Sequence, residues 1–213
     1  MTYIVKTIKQ LEELINNRTY IDNLTITFNE NINHLLCNLT DLIHLEFEFR
    51  YNQPTDLSTL INLTYLNFGW EYNQPTDLSK LLNLQHLVFW ENYNQPTDLS
   101  SLLNLQYLAF GLTYNQPLNL LNLLNLQCLK FGCRYNQFTD LSTLSNLQHL
   151  EFGYCYNQKT DFSQCVNLIY LEFSYEYNKP ADLSNCVKLK KLDNINIENL
   201  DLSIYRKGIF KKN

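Results

Sequence analysis

Hydrophobic residues in the middle of the chain fall at Leu57, Leu60, Leu63, Leu66 and Phe68, spaced three, three, three and two. A period of three suits a tight 3₁₀-like turn, in which every third side chain faces the same way. The closing period of two suits a short strand with Leu66 and Phe68 on one side. The pattern returns every 21 residues, carried by the words Tyr51-Asn52-Gln53-Pro54-Thr55-Asp56-Leu57-Ser58, whose tyrosine recurs at Tyr72, Tyr93, Tyr114, Tyr135, Tyr156 and Tyr177. One such coil cannot bury its apolar side alone, so copies in register and without insertion predict a solenoid of stacked coils. The fold class expected is an α/β-type repeat solenoid, mostly β, with one short parallel strand per 21-residue repeat. Prolines at Pro54, Pro75, Pro96, Pro117 and Pro180 keep the outer segment extended, giving a convex side of 3₁₀ and extended pieces.

Stacking identical coils places identical side chains in columns. Phe47, Phe68, Phe89, Phe110, Phe131, Phe152 and Phe173 form one internal spine, and the tyrosines form a second. The asparagines that follow them, Asn52 to Asn178, are expected as an interior ladder that satisfies backbone groups. Asp56, Asp77, Asp98, Asp140, Asp161 and Asp182 recur in the same word, with Asn119 in place of one. A carboxylate column suggests calcium, but each turn offers one carboxylate and no glycine, so capping of the turn is the expected role and no metal is expected.

The pattern changes toward both ends. Thr7 and Gln10 have capping-box spacing, and Ile8, Leu11, Leu14 and Ile15 share one helical face before Asn16-Asn17, predicting a short capping helix. Leu24, Ile26 and Phe28 alternate with polar residues and predict a first, irregular coil. Three parts follow: an N-terminal cap over 1–38, regular repeats over 39–193, and a C-terminal cap with a basic tail over 194–213.

The word Leu66-x-Phe68-Gly69-x-x-Tyr72-Asn73-Gln74-Pro75 resembles the FNIP-type, or FGxxFN, leucine-rich repeat of social amoebae and giant DNA viruses. The resemblance covers roughly residues 39–193. Tyrosine stands where that family usually has the phenylalanine of its FN pair, Phe47-Glu48, Phe89-Trp90 and Phe173-Ser174 lack the motif glycine, and Asn194 replaces the last spine phenylalanine. The resemblance implies a leucine-rich-repeat solenoid with an interaction role and no chemistry of its own.

Composition narrows the function. Charged residues make up 17% and the net charge is −5, so no basic stripe is present to neutralise phosphates, and nucleic acid is not an expected partner. Residues Met1 to Lys6 lack the apolar run of a secretory signal, and no segment approaches a membrane span, so an intracellular, cytoplasmic protein is expected, in host cytoplasm if viral. The six cysteines follow the repeat rather than a zinc or disulfide spacing. Cys165 and Cys186 replace a core leucine and read as small buried residues; a disulfide between them is the alternative.

The candidate site is the concave face. His44, Tyr65, His86, Tyr107, Cys128, His149, Tyr170 and Lys191 occupy one column that alternates with the inward leucines, so these side chains point outward from the sheet. Cys128 and His149 have no orienting partner in their columns, and an open sheet implies no enclosed pocket, so no catalytic residue and no cofactor is expected. Trp90 stands out, because both neighbouring coils carry glycine there, and it lies beside Val88, Tyr107 and Ala109 with Glu46, Glu48, Glu151 and Glu172 on the flanking coils. An apolar centre with a polar rim is how protein interfaces are built. The expected site is Trp90, Val88, Tyr107, Ala109, His86, Tyr65, His149 and Tyr170, in a non-enzymatic module that binds a protein. The competing readings are a Trp90 that only covers the glycine backbone, and a structural solenoid that self-associates through its ends.

Overall fold

The structure, a computed structural model, describes residues 2–193. Ten strands form one parallel sheet in strict sequence order: β1 (Thr2–Val5), β2 (Asn23–Ile26), β3 (His44–Phe47), β4 (Tyr65–Phe68), β5 (His86–Phe89), β6 (Tyr107–Phe110), β7 (Cys128–Lys130), β8 (His149–Glu151), β9 (Tyr170–Glu172) and β10 (Lys191–Asp193). The register is one coil throughout, with Tyr65 opposite His86 and Leu66 opposite Leu87. The coil is thus the unit read from the hydrophobic spacing.

The outer side carries two successive turns per coil. In one of them the Leu60 N–H donates to the Leu57 carbonyl at 3.0 Å, and in the next the Leu63 N–H donates to the Leu60 carbonyl at 3.1 Å. These are bonds of 3₁₀ type, closed one at a time rather than run together into a helix. Asp56 Oδ1 accepts from the Ser58 N–H at 2.9 Å, and Asn119 Oδ1 accepts from Leu121 at 3.1 Å, so either side chain caps the turn. A second asparagine column ties the coils together outside. Asn83 Nδ2 donates to the Ile61 carbonyl at 3.0 Å and Asn104 Nδ2 to that of Leu82 at 2.9 Å.

The core is a leucine stack with the two aromatic spines. Phe110 stacks on Tyr114 at 3.8 Å between ring centroids and lies 5.6 Å from Phe89 and 6.4 Å from Phe131. The buried tyrosines use the threonine four residues on. Thr55 Oγ1 donates to the Gln53 carbonyl at 2.9 Å and so accepts the Tyr51 hydroxyl at 3.2 Å, and Tyr72, Tyr93, Tyr135 and Tyr156 repeat the arrangement. Among the described residues Tyr114 and Tyr177 have no hydrogen-bond partner for their hydroxyls, because Leu118 and Ala181 stand where the other coils carry threonine.

The asparagine ladder differs from the expectation of an interior one. Asn52 to Asn157 are half-buried and Asn178 is exposed. The reason is alternation, since each follows a fully buried tyrosine and successive side chains of an extended segment point to opposite sides. The ladder still satisfies backbone, but of the next coil: Asn52 Oδ1 accepts the Asn73 N–H at 3.0 Å and the Gln74 Nε2 at 3.1 Å.

At the N-terminal end, α1 (Ile8–Asn16) is capped by Thr7, whose side chain accepts the Gln10 N–H at 3.3 Å, while Gln10 Oε1 accepts the Lys6 N–H at 2.7 Å. Arg18 at φ 52° ends it, with the Arg18 N–H on the Ile15 carbonyl and the Thr19 N–H on that of Leu14, a Schellman pair. Two elements are additional to the expected helix and irregular coil. Strand β1 precedes the helix, pairing Thr2 with Asn23, and α2 (Asn33–Leu36) fills the outer side of the second coil. The sheet runs unbroken from that end into the regular repeats. The expected C-terminal cap and basic tail, 194–213, lie outside the described residues.

Coil spacing explains the motif glycine. A Cβ on Gly132 would stand 1.9 Å from the Gly111 carbonyl oxygen, and one on Gly153 would stand 1.8 Å from that of Gly132. No φ constraint is involved; the backbones simply approach too closely. Gly132→Ala is therefore expected to destabilise the fold by about 1–3 kcal/mol, as overpacking does, and a denaturant titration that leaves the midpoint unchanged would show that the coils separate there without cost.

Candidate functional site

The first residue of each regular strand points to the concave face, and the rings form a ladder. His44 and Tyr65 stack at 3.9 Å with planes 3° apart, Tyr65 and His86 follow at 6.0 Å, and His86 and Tyr107 at 5.7 Å. Cys128 interrupts the ladder, which resumes with His149 on Tyr170 at 4.3 Å and the Lys191 ammonium 4.7 Å above the Tyr170 ring. Ring stacking of this kind stabilises neighbouring strands by about 0.5–1.5 kcal/mol per pair.

Six of the eight expected site residues meet in one concavity of about 640 Å³: Tyr65, His86, Val88, Trp90, Tyr107 and Ala109. The rings of Tyr65, His86 and Tyr107 make one wall, Val88 and Ala109 the floor, and Trp90 the opposite wall. Lys130 and Glu151 close one end with an ion pair of 2.9 Å. His149 and Tyr170 lie on the same face but do not line this concavity. His149 Nε2 bonds Glu151 Oε1, and the Tyr170 hydroxyl donates to Glu172 at 2.6 Å and contacts Asp193 at 3.1 Å.

Trp90 is 47% exposed. Its ring stacks on Trp70, with ring centroids 6.4 Å apart and planes within 2°, and Trp70 leans on Phe49 at 5.4 Å. Phe49 and Trp70 border an adjoining hollow with Glu46, Glu48 and Trp90. The sequence reading missed this aromatic ledge. Its signal lay one place further along the coil, where Phe49, Trp70, Leu112, Tyr154 and Tyr175 share a column and all are exposed.

Polar chemistry on this face is held in ion pairs and hydrogen bonds. Burial works against the Glu151 charge, yet hydrogen bonds from His149 and Lys130 outweigh it and leave the carboxyl below its ordinary range. Glu46 Oε1 accepts from Asn67 Nδ2 at 2.8 Å, which fixes the amide and leaves its buried Oδ1 without a donor among the described residues. Burial pushes the Cys128 thiol up to about 11, against a smaller pull from Lys130, so it carries little thiolate near neutral pH and is a poor nucleophile. Cys165 and Cys186 are buried free thiols in adjacent coils. Among the described residues no three His, Cys, Asp or Glu side chains converge to hold a metal, and no helix is long and apolar enough to cross a membrane.

No family model matches the chain, and no curated relative matches it. Solved structures do resemble it. The circular leucine-rich-repeat protein CroV588, from a giant virus, shares 24% identity with a TM-score of 0.57 over 83% of this chain and 34% of its own length. Internalin InlF of Listeria monocytogenes shares 20% identity with a TM-score of 0.53 over 90% of this chain and 72% of its own. The functional domain of InlJ from the same bacterium, which includes a cysteine ladder, shares 18% identity with a TM-score of 0.59 over 88% of this chain and 46% of its own. The chain thus has a leucine-rich-repeat fold and spans about a third of the CroV588 protein.

Proposed function

We propose that this solenoid is a protein-binding module whose concave face takes a bulky apolar side chain, flanked by basic residues, from a partner protein. The observation that carries the reading is the concavity of about 640 Å³ with Trp90 standing half-exposed at its edge. Its volume suits a side chain or short peptide rather than a flat contact. The surroundings are acidic, with Glu91 and Glu151 on the lining and Glu46 and Glu48 in the adjoining hollow, and Lys130 engaged by Glu151. Solenoids with a leucine-rich-repeat fold commonly use such a surface to bind proteins. Tryptophan and tyrosine are the usual anchors of interfaces, and Trp90, Tyr65 and Tyr107 are all at this one.

The test is selection of binders from a random peptide display library on the full chain. Enriched peptides are expected to share an aromatic or large aliphatic residue next to lysine or arginine. Trp90→Ala is expected to weaken them by about 30-fold, the value of a 2 kcal/mol anchor, with the melting temperature unchanged. Enrichment of no peptide class, or binding indifferent to Trp90→Ala, would refute the assignment; a large loss of melting temperature would make Trp90 a structural residue.

A further inference from the structure

Away from the concave face, a column of exposed aliphatic residues runs along the edge of the solenoid just before the strands. Ile61, Leu82, Leu103 and Leu124 occupy four successive coils at 54%, 56%, 54% and 54% exposure, and after Ser145 the column resumes with Val166 and Val187 at 41% and 58%. Single exposed leucines are ordinary, but a comb of aliphatic side chains at the same place in six coils, four of them successive, is not. Core packing does not require it, since Leu60 and Leu63 on either side are already fully buried.

We infer that this comb is the contact between two copies of the chain, packed antiparallel about a two-fold axis that crosses the stripe. Three features point to a second copy. Coils rise by about 4.8 Å, so a stripe from another copy has teeth at the same interval and interdigitates along its whole length. A partner helix repeats its apolar face about every 5.4 Å and would slip by about 0.6 Å per coil. Polar neighbours can be covered without loss, because Asn83, Asn104, Asn125 and Asn146 already donate to the Ile61, Leu82, Leu103 and Leu124 carbonyls at 2.8–3.0 Å. Charge does not oppose the contact either, since between residues 58 and 64 of each coil from Ile61 to Leu124 Lys80 is the one ionisable group. Six half-exposed aliphatic side chains offer on the order of 600 Å², which with the bordering asparagines approaches the roughly 800 Å² per partner of a stable interface.

Sedimentation equilibrium of the full chain over a dilution series decides it. The wild type is expected to associate to a dimer. Leu103→Lys with Leu124→Lys, which brings like charges together at the middle of the stripe, is expected to weaken that dimer at least tenfold with unchanged melting of the dilute protein. Leu112→Lys, on the opposite edge, is expected to leave the dimer intact and so separates this contact from any made by the concave face. A wild type that stays monomeric at the highest concentration, or a dimer that survives the double substitution, would overturn the inference.

Discussion

Phe110→Ala is expected to cost about 3–5 kcal/mol and to make unfolding less cooperative. The ring is 4% exposed, lies face to face with Tyr114 and is flanked by Phe89 and Phe131, so its removal leaves a void that no neighbour can fill without leaving its own stack. A globular core relaxes around such a hole from all sides. A solenoid does not, because each coil touches only the one before and the one after. Weakening one contact in the middle therefore separates an N-terminal from a C-terminal block. A denaturant curve followed by tryptophan fluorescence reports the first block, since Trp70 and Trp90 both lie in it, while circular dichroism reports both. In the variant the two curves are expected to diverge. Coincident curves shifted by less than about 1 kcal/mol would mean that Phe110 is not the keystone of its coil.

The architecture was legible in the sequence because repetition supplies the averaging that a single helix or strand lacks. Leu57, Leu60, Leu63, Leu66 and Phe68 are buried as their spacing predicts, and the same is true of their counterparts three coils on. Strand β1 was not legible, since Thr2–Val5 is a four-residue strand with Val5 its one buried side chain. The candidate site could be read as a column but not as a surface. A fixed period places every Cα, so Trp90 could be assigned to the concave side, but it leaves the rotamer free. The ring then met Trp70, a contact between residues 20 apart in the chain instead of 21 and hence diagonal across two columns. Reading columns one at a time hides such pairs. His149 and Tyr170 show the opposite case, where the column is right but the adjacent carboxylates engage both side chains.

The tyrosine spine makes the fold sensitive to alkali, and raising the pH from 10 to 12 is expected to unfold it. Burial raises the phenols of Tyr51, Tyr93, Tyr135 and Tyr177 to about 12, with the hydrogen-bonded contacts to Thr55, Thr97 and Thr139 pulling the first three back only in part. Tyr72, Tyr114 and Tyr156 are raised as well, again chiefly by burial. The neutral phenol is the form the folded state prefers, so the folded pKa lies above the unfolded value of about 10. The associated stability is fully present below pH 10 and is lost as the pH climbs through 12. Two units correspond to about 3 kcal/mol for each tyrosine, so several ionising together are comparable with the whole stability of an ordinary domain. Cys165 and Cys186, pushed up to about 12 by the same burial, act in the same direction. Phenolate absorbance and circular dichroism recorded together should therefore change in one steep step above pH 10. A spine that ionises gradually near pH 10 while the sheet signal persists would show that water reaches the tyrosine column in the folded protein, and that the aromatic stack does not seal the core.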